Sequence, residues 1–129
     1  MIFSTNKEKG KASLGIAIGY FSSNGYTVSI PLNDTQDYDL IIETDGKLQT
    51  VQVKSTSCKT KYGTYQVSLK SCGGTRGVTY KTVVDTKVDL LCIVTDNIDI
   101  YVIPVNKIKN LSTINLCDKY QKYKIIKSY

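Results

Sequence analysis

The sequence predicts an α/β (α+β) fold, a mixed central β-sheet flanked by helices, from three observations. Between residues 10 and 24, Leu14, Ala17, Ile18 and Phe21 recur at helical spacing. An Asp45-Gly46 pair separates "YDLIIE" from "LQTVQVKS", the strongest short-range signal for a two-residue hairpin. Farther along, "VDLLCIV" and "DIYVIPV" are apolar strands joined around Asp96-Asn97.

The remaining elements follow in chain order. Asn24-Gly25 stops the helix. Gly15 and Gly19 each cost about 1 kcal/mol of helix propensity relative to Ala, and they leave room for close packing against the helix. "YTVSIPL" is a β-rich run ended by Pro31, and "NDTQD" is a turn cluster. "GTYQVSLKS" alternates and adds a strand, whereas "CGGTRG" reads as a loop. For "CDKYQKYKIIKSY" helix, strand and loose chain all stay open. With no internal repeat and no linker, residues 1–129 suit a single domain.

Composition narrows the function. Seventeen Lys and Arg against eleven Asp and Glu leave a net charge of +6, which fits nucleic acid, an anionic surface, or simple solvation. No apolar run approaches the ~20 residues that cross a bilayer, so no membrane partner is expected. The polar, basic start "MIFSTNKEKGKAS" lacks a secretory apolar core, and an intracellular, cytoplasmic location is expected. Cys58, Cys72, Cys92 and Cys117 lack CxxC spacing and read as reduced thiols, although Cys58 and Cys72 flank a hairpin and could approach. Histidine is absent, which excludes Ser-His and Cys-His nucleophiles. Carboxylate, lysine or metal chemistry remains.

The hairpin brings such groups together. If Asp45-Gly46 is the whole loop, Thr44 faces Lys47, Asp39 lies opposite Gln52, and Asp37 lies opposite Lys54. Opposed side chains share a face, with Cβ atoms about 4.5–5.5 Å apart. Leu40, Ile42, Val51 and Val53 then point the other way. Asp39 and Gln52 can touch one cation, and Lys54 can reach the same place. The plain alternative is a solvated face with Asp37–Lys54 as a surface pair worth less than ~1 kcal/mol.

"YDLIIETDGKLQTVQVK" resembles the core of the PD-(D/E)xK nuclease superfamily: an Asp on one strand, then an acidic-x-Lys element on the next. Here that element is Gln52-Val53-Lys54, similar to the small group I intron-encoded homing endonucleases of this class. "KG" before the helix, "GYTVSIPL" after it and "VDLLCIV…YVIPV" extend the resemblance over roughly residues 9 to 105. It implies a restriction-endonuclease-like core of αβββαβ type that hydrolyses DNA phosphodiesters with Mg²⁺, Mn²⁺ being an expected substitute. Asp39, Gln52 and Lys54 would be catalytic, and Asp39, Gln52 and the Val53 carbonyl would hold the metal. The family's helix carboxylate matches Leu14 here, with Glu8 and Asp37 as nearby carboxylates.

Double-stranded DNA is the expected partner, with Lys9, Lys11, Lys59, Lys61 and Arg76 as candidate contacts. Tyr120, Tyr123 and Tyr129, interleaved with lysines, are candidates for DNA or subunit contact. A homodimer or homotetramer is expected, because a double-strand break needs two active sites. Two rivals are a DNA-binding domain without chemistry on the same fold, favoured by Leu14, and a protein-interaction module.

Overall fold

A computed structural model describes residues 4–33, 35–73, 79–83, 86–109 and 112–126; of residues 71–73 and 79–82 it describes the backbone. Its elements are α1 (Asn6–Ser23), β1 (Thr27–Ser29), β2 (Leu40–Thr44), β3 (Lys47–Thr56), β4 (Gln66–Ser68), β5 (Lys70–Gly73), β6 (Thr79–Thr82), β7 (Leu90–Thr95), β8 (Ile100–Pro104) and β9 (Thr113–Asn115). Two 3-10 turns, Val105–Lys107 and Asp118–Tyr123, complete the chain. Five strands form the main sheet in the order β1-β2-β3-β7-β8, and β4-β9 and β5-β6 form two small sheets. The fold is thus mixed α+β. The second helix implied by the resemblance does not occur among the described residues; β4, β5 and β6 run between β3 and β7 instead.

Helix α1 starts four residues earlier than its apolar spacing predicts. Thr5 is the N-cap: its hydroxyl accepts from the Glu8 N–H at 3.2 Å, and Glu8 Oε2 accepts from the Ser4 N–H at 3.2 Å. This exchange is close to a capping box and satisfies amides that the helix cannot. At the other end Gly25 takes φ +87°, and the Tyr26 N–H donates to the Phe21 carbonyl at 3.1 Å, closing a Schellman-type cap. Gly15 and Gly19 are exposed, and a Cβ at either would meet nothing within 4 Å. The close packing they leave room for is absent among the described residues.

The Asp45-Gly46 turn has φ +51° and +78°, the signs a type I′ turn demands. Its register is the predicted one, from Thr44↔Lys47 to Leu40↔Val51. Beyond Val51 the strand changes neighbours, and residues 51–56 pair in parallel with β7. Thr50 marks the handover. Its N–H and hydroxyl both donate to Asp89 and the neighbouring chain: N–H to Asp89 Oδ2 at 2.9 Å, Oγ1 to the Lys87 carbonyl at 3.0 Å.

Alternation on β7 divides the core. Cys92 and Val94 face α1, where Ala17 and Phe21 pack on Leu40, Ile42 and Val51. Leu91 and Ile93 face the small sheets and meet Val67, Leu69, Ile103, Ile114 and Leu116. Tyr120 is buried in this second cluster, which corrects its reading as a DNA or subunit contact; Tyr123 packs against the same cluster, and Tyr129 lies outside the described residues. Burial pushes the Cys92 thiol up to about 12, so it packs as a neutral group. Cys58 and Cys117 are exposed, unbonded thiols. Among the described residues no helix is long and apolar enough to cross a membrane.

Candidate active site

The site lies where β2 stops and β3 continues. Even-numbered residues of β3 turn their backbone groups toward β7: the Thr50 and Thr56 carbonyls accept from the Asp89 and Asp96 N–H groups, at 3.1 and 3.0 Å. Odd-numbered residues turn theirs toward β2, and the Val51 carbonyl accepts from the Asp39 N–H at 2.8 Å. Val53 therefore presents its N–H and carbonyl on the β2 side, one step past the last β2 pair.

Asp39 fills that gap. Its Oδ2 accepts from the Val53 N–H at 2.7 Å, so a side chain takes the place of the next rung of the ladder. The bond anchors one carboxylate oxygen, Oδ2. Asp39 keeps an exposed surface, yet partial desolvation raises its carboxyl above the ordinary carboxylate range. The Val53 N–H and the Lys54 ammonium pull in the opposite direction without reversing the shift.

Gln52 and Lys54 leave β3 on the face that Leu91 and Ile93 share in the parallel register. Gln52 is 9% exposed, and its amide takes no hydrogen bond among the described residues. Lys54 Nζ donates to the Lys70 carbonyl at 3.2 Å, which holds the ammonium over the same face. Val53 leans the other way, against the α1 cluster. Of the sequence-predicted trio, Asp39 bonds to Val53 and feels the Lys54 ammonium, while Gln52 and Lys54 flank Val53 on β3. Asp37 is exposed.

The helix adds no carboxylate. Leu14 is half-buried and packs against the α1 cluster, and Glu8 is committed to the cap of its own helix. Among the described residues no three His, Cys, Asp or Glu side chains gather as a metal cluster. The donor set is one carboxylate, one amide oxygen and one backbone carbonyl. That set fits Mg²⁺, which is commonly held by one or two carboxylates with waters and substrate phosphate.

The basic candidates divide by place. Lys9 Nζ donates to Ser57 Oγ at 3.3 Å, linking α1 to the end of β3. Lys11 is exposed on α1. Lys59 and Lys61 sit beyond β3, their ammonium groups 4.8 Å from the Tyr65 ring centre and 5.1 Å from that of Tyr62. Arg76 lies outside the described residues. Sequence reasoning missed Ser13, a buried helix serine at the same strand edge, because nothing in the apolar periodicity marks a polar residue on that face.

Known proteins are similar to this chain in sequence and fold. The model of the PD-(D/E)XK endonuclease family matches residues 4–124. Protein 5.3 of Escherichia phage T7 is 33% identical over 107 residues, which cover 81% of this chain and 85% of that protein. The solved structure of a bacterial homing endonuclease is similar at a TM-score of 0.77 and 29% identity, covering 94% of this chain and 89% of that one.

Proposed function

The chain belongs to the PD-(D/E)XK endonuclease family, and from that premise we propose that it is a Mg²⁺-dependent endonuclease of double-stranded DNA, of homing type. One observation carries the reading: the Asp39 carboxylate is fixed by the N–H of Val53, the residue between Gln52 and Lys54 on β3, and lies within the field of the Lys54 ammonium. A structural ladder would place another backbone group there.

In this reading Asp39, Gln52 and the Val53 carbonyl hold the cation. When bound, Mg²⁺ polarises a phosphoryl oxygen and acidifies water. Asp39 is ionised to serve, and its Oδ2 bond to Val53 fixes the carboxylate on β3. Gln52 offers an oxygen without adding charge. Lys54 sets an ammonium against the charge that develops on the phosphate, a preorganised electrostatic role. In the hydrolysis a bond forms from the water oxygen to phosphorus and the bond from phosphorus to the leaving sugar oxygen breaks. The leaving oxygen takes up a proton. The +6 net charge supports the backbone contacts that dominate DNA affinity, with Lys9, Lys11, Lys59, Lys61 and Arg76 as the proposed contributors. Cutting both strands calls for two such sites, hence a homodimer or homotetramer.

Leu14 favours a second reading, duplex binding without cleavage, since it packs where the helix carboxylate was expected. Incubation of supercoiled plasmid with Mg²⁺ or Mn²⁺ separates the two. Nicking by the wild type, lost by at least about a hundredfold in Asp39→Ala and Lys54→Ala, is the expected result. Equal nicking by all three proteins rejects the site, and salt-sensitive binding with no nicking under either metal selects the second reading.

A further inference from the structure

Ser13 carries a hydroxyl that no group among the described residues satisfies. The residue is 1% exposed, and its Oγ has no hydrogen-bond partner. Such a group weakens the fold unless something else uses it. It lines a cleft of about 450 Å³ between the first half of α1, the last residues of β3 and β4.

The walls of this cleft are donor-rich. Ser55 and Ser57 line it, and Lys9 reaches Ser57 Oγ at 3.3 Å. Ser55 is odd-numbered on β3, so its backbone N–H leaves the same edge as that of Val53, away from β7. No Asp or Glu lines the cleft among the described residues. Gly10 opens its helix side: a Cβ there would meet nothing within 4 Å. Hydroxyls, a strand-edge amide and ammonium groups without carboxylates are the groups that hold DNA backbone phosphates. Val53 and Lys54 also line this cleft, which joins it to the candidate catalytic centre.

We propose that Ser13, Ser55, Ser57 and Lys9 bind the backbone phosphate next to the scissile one, with Ser13 as the buried positioning donor. This rests on the endonuclease reading and extends it to a second phosphate. Ser13 acts on the register of the strand, apart from the hydrolytic chemistry at Asp39 and Lys54.

The test is fluorescence anisotropy with a labelled mixed-sequence DNA duplex in EDTA, paired with thermal melts of the protein alone. Ser13→Ala is expected to weaken duplex binding about tenfold, the scale of one hydrogen bond to a charged group. The same substitution should raise the Tm of the protein alone, because it removes an unpaired buried hydroxyl. In plasmid cleavage the loss should fall on KM more than on kcat. Lys9→Gln should lower the slope of log affinity against log salt by about one. Wild-type affinity in Ser13→Ala, or weakened binding accompanied by a lowered Tm, overturns the proposal. A wild-type protein that holds no duplex overturns the endonuclease reading as well.

Discussion

Asp39 does two jobs that conflict. Its Oδ2 completes the hydrogen bonding of Val53, yet the desolvation that comes with this position raises its carboxyl above the ordinary carboxylate range. With the folded pKa above the unfolded one, the native state binds the extra proton between those two values. Stability therefore falls as pH rises through that window. Asp39→Asn keeps an oxygen for the Val53 N–H and cannot ionise. Thermal melts across acidic to neutral pH should show the variant gaining on wild type through the window and then levelling off; a wild-type advantage that grows with pH would contradict the assignment. Cleavage by wild type should rise through the same window as the carboxylate ionises. Asp39, Gln52 and Lys54 were legible in the sequence because a type I′ turn fixes the register, and period-2 alternation then fixes the face. Ser13 was not legible, since an unsatisfied hydroxyl is a property of its surroundings.

At the scale of the element, the strands that carry the site form from local signals, whereas the pieces that cover them do not. The main hairpin and the two apolar strands, β7 and β8, appear where alternation and turn residues place them. Three-residue β9 pairs with β4 across a sequence gap of nearly fifty positions, from Val67 to Ile114, and too short a run leaves no periodicity to read. Helix α1 illustrates both outcomes. Its apolar face was visible, but its first turn was hidden in "TNKE", where the signal is Thr5 with Glu8 three residues on. Gly15 and Gly19 spend helix propensity without any close contact in return. Gly15→Ala and Gly19→Ala should each stabilise the protein by about 1 kcal/mol, read as a higher denaturant midpoint at unchanged slope. A loss in either variant would mean that something does approach the helix there.

For the whole molecule, the division of labour follows from the sheet. Helix α1 covers one face, the small sheets cover the other, and β3 emerges between them with an edge that β2 leaves uncovered. Asp39, proposed for hydrolysis, bonds to Val53 on that edge, and the donor-lined cleft runs along β3 from Val53 to Cys58. Family membership and a solved homing endonuclease of the same architecture fit this arrangement. The proposed metal site is sparing of charge: Leu14 packs against the α1 cluster, Gln52 is neutral, and Asp39 stands as its one carboxylate. The most direct test is a crystal soaked in Mn²⁺ and measured for anomalous scattering. The account predicts a peak bonded to Asp39, the Gln52 amide oxygen and the Val53 carbonyl, abolished in Asp39→Asn. No peak at the β3 edge in wild type, or one that persists without the Asp39 carboxylate, would contradict it.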